Sequence, residues 1–248
     1  MQDKNLRYIE NIKKRVGRTL YNYKLIQSGD NVLIGLSGGK DSIVLIEILA
    51  QLIKHLPFPC NLMAVHIQAD VLGYEIDIDF LKSVCKNLNV PLYLRKIEID
   101  FSKNKKKSPC FICSWLRRKE LFKLTKELNC NKLALGHHMD DAIETLLLNM
   151  IYHGSVSSLP EKLTMLDGRI DIIRPLLHLT NGEILKYAQI RKFKQETKLC
   201  IYSNSNKRDE VKKIINDIQH LHDKAKVNIF RSMYNAFPEY LPSDPKKI

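Results

Sequence analysis

The sequence predicts an α/β protein: a doubly wound, mostly parallel sheet with a basic N-terminal helix before it and a C-terminal helical extension after it. Three observations lead there. Short apolar runs of strand length alternate with stretches of helical periodicity between residues 32 and 152, the pattern of successive βαβ units. The first strand gives way to a glycine-containing turn that opens directly on a helix. From Asn181 onward only helical spacing is left. The chain has 248 residues, 44% of them hydrophobic, enough for one large domain with a real core or a domain with an appendage.

Taken in order, Arg7–Ile26 places Ile9, Ile12, Val16, Leu20 and Tyr23 at helical spacing, with Lys13, Lys14, Arg15 and Arg18 between them. The turn cluster Ser28–Asn31 then leads into a buried strand at Val32–Leu36. A helix is expected over Ile43–Leu56, ended by Pro57 and Pro59, and a second strand over Leu62–Ile67. A helix at Asp79–Leu88, a strand at Leu92–Ile97, a helix at Ser114–Leu128, a strand at Lys132–Leu135 and a helix at Asp141–Tyr152 continue the alternation. Arg174-Pro175-Leu176 interrupts the following stretch, and helices are expected at Gly182–Lys192, Asp209–His222 and Ala225–Phe237. This divides the chain into an N-terminal helix (1–28), a nucleotide-binding domain (29–179) and a C-terminal helical region (180–248).

Composition narrows the class. The longest apolar runs stop far short of the ~20 residues that a membrane-spanning helix needs, and the first residues, Met1–Arg7, carry no apolar export signal, so the cytoplasm is the expected location and no membrane partner is expected. Six cysteines are too few for a disulfide scaffold and raise instead the question of a site. Forty Lys and Arg against 27 Asp and Glu give a net charge of +13, a field that attracts polyanions such as nucleic acid. Four lysines within Lys103–Lys107 concentrate part of it, either as a polyanion contact or as a solvated tether.

The chemistry is concentrated in two motifs. Ser37-Gly38-Gly39-Lys40-Asp41-Ser42 lies between a strand and a helix, where backbone N–H groups and the helix N-terminus converge on an anion. The glycines admit a phosphate, Lys40 adds a charge, and Ser37 and Ser42 add donors. A Walker A loop does not fit: three residues rather than four separate Gly35 from Gly39-Lys40, and Asp41 stands where a Mg²⁺-binding Ser or Thr would follow the lysine. The second motif is Cys110-Phe111-Ile112-Cys113, whose spacing lets two thiolates share one metal or react with each other. His137-His138-Met139-Asp140-Asp141 reads either as a metal or carboxylate site or as a helix start, with Asp140 as N-cap and Asp141 and Glu144 facing the dipole. Cys60, Cys85 and Cys130 lie in or beside apolar segments and read as packing.

The six residues from Ser37 to Ser42 match the SGGxDS signature of the PP-loop ATP pyrophosphatases, and the chain resembles that superfamily, whose fold is of the adenine nucleotide alpha hydrolase type. Cys110-x-x-Cys113-x-x-Leu116-Arg117-Arg118 followed by Leu135-Gly136-His137-His138-x-Asp140-Asp141-x-x-Glu144-Thr145 is similar to the tRNA 2-thiocytidine synthetase branch. The likeness continues through Leu148-Asn149-Met150, Ile173-Arg174-Pro175-Leu176 and Met233–Pro238. The resemblance implies ATP cleavage to AMP and pyrophosphate, with Mg²⁺, and a [4Fe-4S] cluster held by Cys110, Cys113 and a distant third cysteine at the position of Cys200. The family's second CxxC is broken here, since Ser203 stands where a fourth cysteine would be. Lys40, Asp41, Asp141 and Arg117 become the candidate catalytic residues, and Ser37, Gly38, Gly39, Lys40, Asp41, Ser42, His66 and Gly136 the candidate nucleotide site. His66 suits a core position equally well. Gln68 departs from the acidic residue common at its position and leaves part of the adenosine pocket open.

Replacing the C2 oxygen of a pyrimidine by sulfur requires first making that oxygen a leaving group, which adenylation does. The resemblance therefore implies thiolation of a cytidine in a tRNA anticodon loop, at position 32, with sulfur from a cysteine desulfurase or free sulfide. A homodimer is left open. Three rivals share parts of the pattern: a persulfide sulfurtransferase using Cys113 and Cys200 without iron, a lysidine-forming synthetase that needs no CxxC, and a zinc-stiffened nucleotide- or RNA-binding module.

Overall fold

The computed structural model describes residues 2–70, 76–101, 108–193 and 207–242. Helix α1 (Gln2–Asn22) leads into β1 (Asn31–Gly35), α2 (Lys40–Ile53), β2 (Asn61–Asp70), α3 (Ile78–Leu88), β3 (Leu92–Glu98), α4 (Pro109–Glu127), β4 (Lys132–Ala134), α5 (Met139–His153), β5 (Lys162–Met165), β6 (Ile170–Ile173) and α6 (Asn181–Ile190). Helices α7 (Lys207–Leu221) and α8 (Ala225–Ser232) and a short 3-10 turn at Pro238–Tyr240 complete the described chain.

The strands form one sheet in the order β3-β2-β1-β4-β6-β5. All neighbours are parallel except β5 and β6. The order reverses at β1: β2 and β3 extend to one side, β4 and β6 to the other. In open α/β sheets that switch point leaves a crevice at the carboxyl ends of the two strands. Both faces of the sheet are covered. Ile9, Ile12, Val16 and Leu20 of α1 pack with α2, α3 and α6 in one apolar layer, and Leu33, Val65, Ile67 and Leu133 meet Leu124 of α4 in the other. The expected doubly wound α/β architecture is what the chain adopts.

Several boundaries move for local reasons. The helix expected from Ser114 starts at Pro109, because Ser108 caps it by accepting a hydrogen bond from Phe111 N–H (3.3 Å) and Pro109 presets the first turn. The helix expected from Asp141 starts at Met139, so Asp140 lies inside the first turn and is not its N-cap. Helix α8 ends at Ser232, short of the expected Phe237, ahead of the loop at Asn235 and Pro238. The hairpin β5–β6 escaped the sequence reading because its strands have only four residues each. Its signal was present: Leu166, Asp167 and Gly168 all take positive φ, and Asp-Gly between alternating residues marks such a turn.

The described residues of 1–139 and 160–205 form one compact unit, and those of 140–159 and 206–248 a second. The first contains α1 and α6 beside the sheet, so these units cut across the three segments read from the sequence. Within it, Thr180 and Glu183 form a capping box on α6, and Arg15 of α1 pairs with Glu183 and donates to the His178 carbonyl (2.8 Å). In the second unit, Lys226 of α8 pairs with Asp140 at 2.9 Å, and Ser158 Oγ donates to the Ala142 carbonyl at 2.6 Å. Among the described residues no helix is long and apolar enough to cross a membrane.

Candidate functional site

Strand β1 is buried through Val32, Leu33 and Ile34, and its end is pinned where Leu36 N–H donates to the Val65 carbonyl at 2.8 Å. The wholly buried His66 adds a second pin, its Nδ1 lying 2.7 Å from the Leu36 carbonyl; because a carbonyl only accepts, Nδ1 carries the proton. His66, expected in the nucleotide site, thus sits beneath the loop and orders its entry. From there the chain turns through Gly38 at φ 94°, a conformation that a residue with a Cβ adopts only under strain. Ser42 Oγ closes the turn, donating to the Gly39 carbonyl (2.8 Å) and accepting from Gly38 N–H (3.2 Å). Ser37 Oγ lies 3.1 Å from Ser42 Oγ and accepts from Gly39 N–H at 3.3 Å.

Helix α2 begins after Gly39 with no side chain capping it, so the dipole end of a largely buried helix faces the crevice. Lys40 Nζ and Asp41 Oδ1 are 2.6 Å apart, and His138 Nε2 lies 3.8 Å from the same carboxylate oxygen. Gly136, one residue beyond Leu135 at the end of β4, is a glycine for want of space. A Cβ there would stand 3.1 Å from the carbonyl carbon and oxygen of Asp41 and 3.2 Å from Ser42 N. The switch point therefore brings together Ser37–Ser42, Gly136 and His138.

Arg117 and both cysteines of the CxxC lie on α4. Cys110 and Cys113 are one turn apart in its first turns, half-buried and in no disulfide, rather than on the loop expected before it. Arg117 Nη2 reaches the carbonyl of Ile67 in β2 at 3.4 Å. Burial pushes the thiols of Cys60, Cys85 and Cys130 up to about 11, with the Asp30 charge adding to the effect at Cys60, consistent with their expected packing role. Cys200 and Lys103–Lys107 lie outside the described residues. Asp141 belongs to the second unit, on α5 next to Asp140; the carboxyl of Glu144 there is raised by burial, against the opposing charge of Lys212. Among the described residues, no three His, Cys, Asp or Glu side chains are gathered as for a metal ion.

The PP-loop domain family matches residues 8–218. The tRNA-cytidine(32) 2-sulfurtransferase of Paraburkholderia phytofirmans is 33% identical over 243 residues, covering 96% of this chain and 71% of the relative. The enzyme of the same name from Hahella chejuensis is 36% identical over 237 residues, covering 93% and 82%. This chain belongs to the tRNA-cytidine(32) 2-sulfurtransferase family of PP-loop proteins. Among solved structures, the U34-tRNA thiolase NcsA from Methanococcus maripaludis with its [4Fe-4S] cluster is similar at a TM-score of 0.78 and 26% identity, over 98% of this chain and 82% of that one.

The residues present fit the groups that membership in this 2-sulfurtransferase family implies. Two thiols one turn apart at a helix start suit an iron–sulfur cluster, and Cys200 is the one remaining cysteine not assigned to packing. Asp41 at the loop offers Mg²⁺ the hard oxygen it prefers. Sequence reasoning missed one prominent residue. Arg174, quoted only as part of the family likeness, is 5% exposed at the end of β6. A guanidinium between apolar Ile172-Ile173 and Leu176-Leu177 was its available signal.

Proposed function

We propose that this chain is an ATP-dependent tRNA thiolase that replaces the C2 oxygen of cytidine 32 with sulfur. The observation that carries the reading is the Ser37–Ser42 turn at the switch point, with an uncapped helix start beside the Lys40–Asp41 pair. Such donors stabilise the charge that develops on a pyrophosphate leaving group, which is electrostatic preorganisation. The C2 oxygen of the cytidine attacks the α-phosphorus and pyrophosphate departs; hydrosulfide then adds at C2 and AMP leaves. In this reading Lys40 and the loop amides hold the β- and γ-phosphates, Asp41 positions Mg²⁺, and Arg117 and Asp141 act on the reacting base and nucleotide. A [4Fe-4S] cluster on Cys110, Cys113 and Cys200 supplies, when bound, an iron free of protein thiolate that can hold sulfide. Sulfur comes from a cysteine desulfurase or free sulfide, and the reaction takes place in the cytoplasm, where tRNA is.

The tRNA must present a splayed base, and its phosphates need cations. On α1 the exposed Lys4, Lys14 and Arg18 are available, whereas Arg7, Lys13 and Arg15 are paired with Asp3, Glu10 and Glu183. Together with Lys103–Lys107 they form the proposed contact. Anaerobic protein supplied with ATP, Mg²⁺, sulfide and tRNA should release AMP and pyrophosphate and yield 2-thiocytidine by nucleoside mass spectrometry. Release of ADP instead sinks the reading. Full thiolation by iron-free protein would remove the cluster from it and favour a persulfide route.

A further inference from the structure

The carboxyl edge of the sheet holds a charge that the glycine loop does not use. Arg174 follows β6 directly, and the carbonyl of Ile173 before it accepts from Leu135 N–H at 3.0 Å, so in the parallel register Arg174 stands level with Leu135, one residue short of Gly136. Its Nη1 donates to the Pro160 carbonyl at 2.6 Å. Its Nε is buried and, among the described residues, has no hydrogen-bond partner. Glu161, whose charge acts on Arg174, is already engaged with His178 Nε2 at 2.8 Å. Burial, and then the like charge of Arg118, push the Arg174 guanidinium down to about 10. Arg118 is exposed on α4, one turn beyond the CxxC, and forms no ion pair among the described residues.

Helix α4 packs over β2 and β4, and β6 lies beside β4, so the two arginines approach the carboxyl end of β4 from α4 and from β6. A buried donor without a partner, next to a second cation, costs stability unless an anion satisfies both. We propose that Arg118 and Arg174 form a phosphate-binding pair at the carboxyl end of β4, separate from the Ser37–Ser42 loop. The Pro160 carbonyl holds the Arg174 fork in place beforehand, Nε is its unused donor, and Arg118 closes on the phosphate from the solvent side. The choice of phosphate rests on the thiolase reading: a phosphodiester of the RNA and the released pyrophosphate present the same oxygens to such a fork.

The test uses the full chain and four variants: Arg118→Ala, Arg174→Gln, Arg174→Lys and, for the same loss of charge on the same helix, Lys119→Ala. Affinity is measured for an unmodified anticodon stem-loop across a salt series and, separately, for inorganic pyrophosphate. If the pair holds RNA, Arg118→Ala and Arg174→Gln weaken the stem-loop about tenfold or more and flatten its salt slope by about 0.7–0.9, with pyrophosphate affinity unchanged. If it holds the leaving group, only pyrophosphate affinity falls. Arg174→Lys, which keeps the charge and loses the fork, falls between. Arg118 is exposed, so its variant reads the site even where the Arg174 variants fail to fold. Affinities for both probes that match the parent in Arg118→Ala, or fall equally in Lys119→Ala, overturn the pair. Failure of the parent to bind the stem-loop counts against the thiolase reading alone, because the pyrophosphate measurement still decides the pair.

Discussion

The two edges of the sheet are built from similar polar residues and arranged for opposite ends. At the amino edge, polar groups are matched to one another. Lys132 Nζ lies 2.5 Å from Asp171 and 3.8 Å from Asp30, Lys162 pairs with Asp171 at 3.0 Å, and Thr164 donates to Asp171 at 2.7 Å. Asn131 donates to Asp30 (2.7 Å) and accepts from Asn31 N–H (2.9 Å), and Asn61 donates to Asn31 (2.8 Å), which ties together the starts of β1, β2 and β4. At the carboxyl edge the helix start after Gly39 has no side-chain cap, and among the described residues Arg174 Nε has no hydrogen-bond partner and Arg118 no ion pair. The closed edge satisfies its polar groups within the fold; the open edge is where the proposed ligands would find their donors. A parallel sheet makes this division natural, since its helix N-termini all follow the carboxyl ends of strands.

If that division holds, damage at the two edges should register in different measurements. The largest effect is expected at the closed edge: Lys132→Met leaves the buried Asp30 without its cation and Asp171 with Lys162 alone, and should cost about 3 kcal/mol or more in urea unfolding, with ATP affinity unchanged in the folded fraction. Lys40→Ala and Asp41→Ala should do the reverse. Each loses about 2.7–4 kcal/mol of transition-state stabilisation, read as AMP and pyrophosphate release, with little change in unfolding midpoint. A Lys40 variant that unfolded as readily as Lys132→Met would break the comparison.

Gly136→Ala tests the open edge more gently. Its Cβ would press on the Asp41 carbonyl at 3.1 Å and displace the first turn of α2 by a few tenths of an ångström, so KM for ATP should rise while stability falls by only about 1 kcal/mol. A smaller effect is a matter of pH. Burial raises the Asp171 carboxyl, but hydrogen bonds from Lys132, Thr164 and Lys162 outweigh it and hold it at about 2, below its ordinary value of 3.8. The stability from this group is therefore complete above about 4 and is lost as pH falls toward 2. Asp171→Asn should remove that part of the acid dependence, and an unchanged profile would place it elsewhere. The smallest change concerns thiols. Raised to about 11, Cys60, Cys85 and Cys130 should resist iodoacetamide at pH 8 in native protein, leaving Cys110 and Cys113 as the modified pair among the described cysteines by peptide mass spectrometry.

Local and periodic features were legible in the linear chain because their causes are local. The alternation of apolar strands and amphipathic helices dictated a doubly wound α/β sheet, and Ser37–Ser42 stood out as a candidate phosphate loop because strand, glycine turn and helix start are contiguous. The CxxC was equally visible, although its placement on α4 depends on Ser108, which caps the helix, and Pro109, which presets its first turn. What the linear chain withheld were the pairings between distant segments. Nothing at position 136 declares that a Cβ would strike Asp41, nor at His66 that its proton serves the carbonyl of Leu36; both follow only once β2, β1 and β4 lie side by side. Arg174 makes the same point most sharply. Its residue type and neighbours can be read in sequence, but its burial, its unused Nε and the proximity of Arg118 exist only because β6 lies beside β4 under the reach of α4, and contacts set by strand order have no signature within one segment.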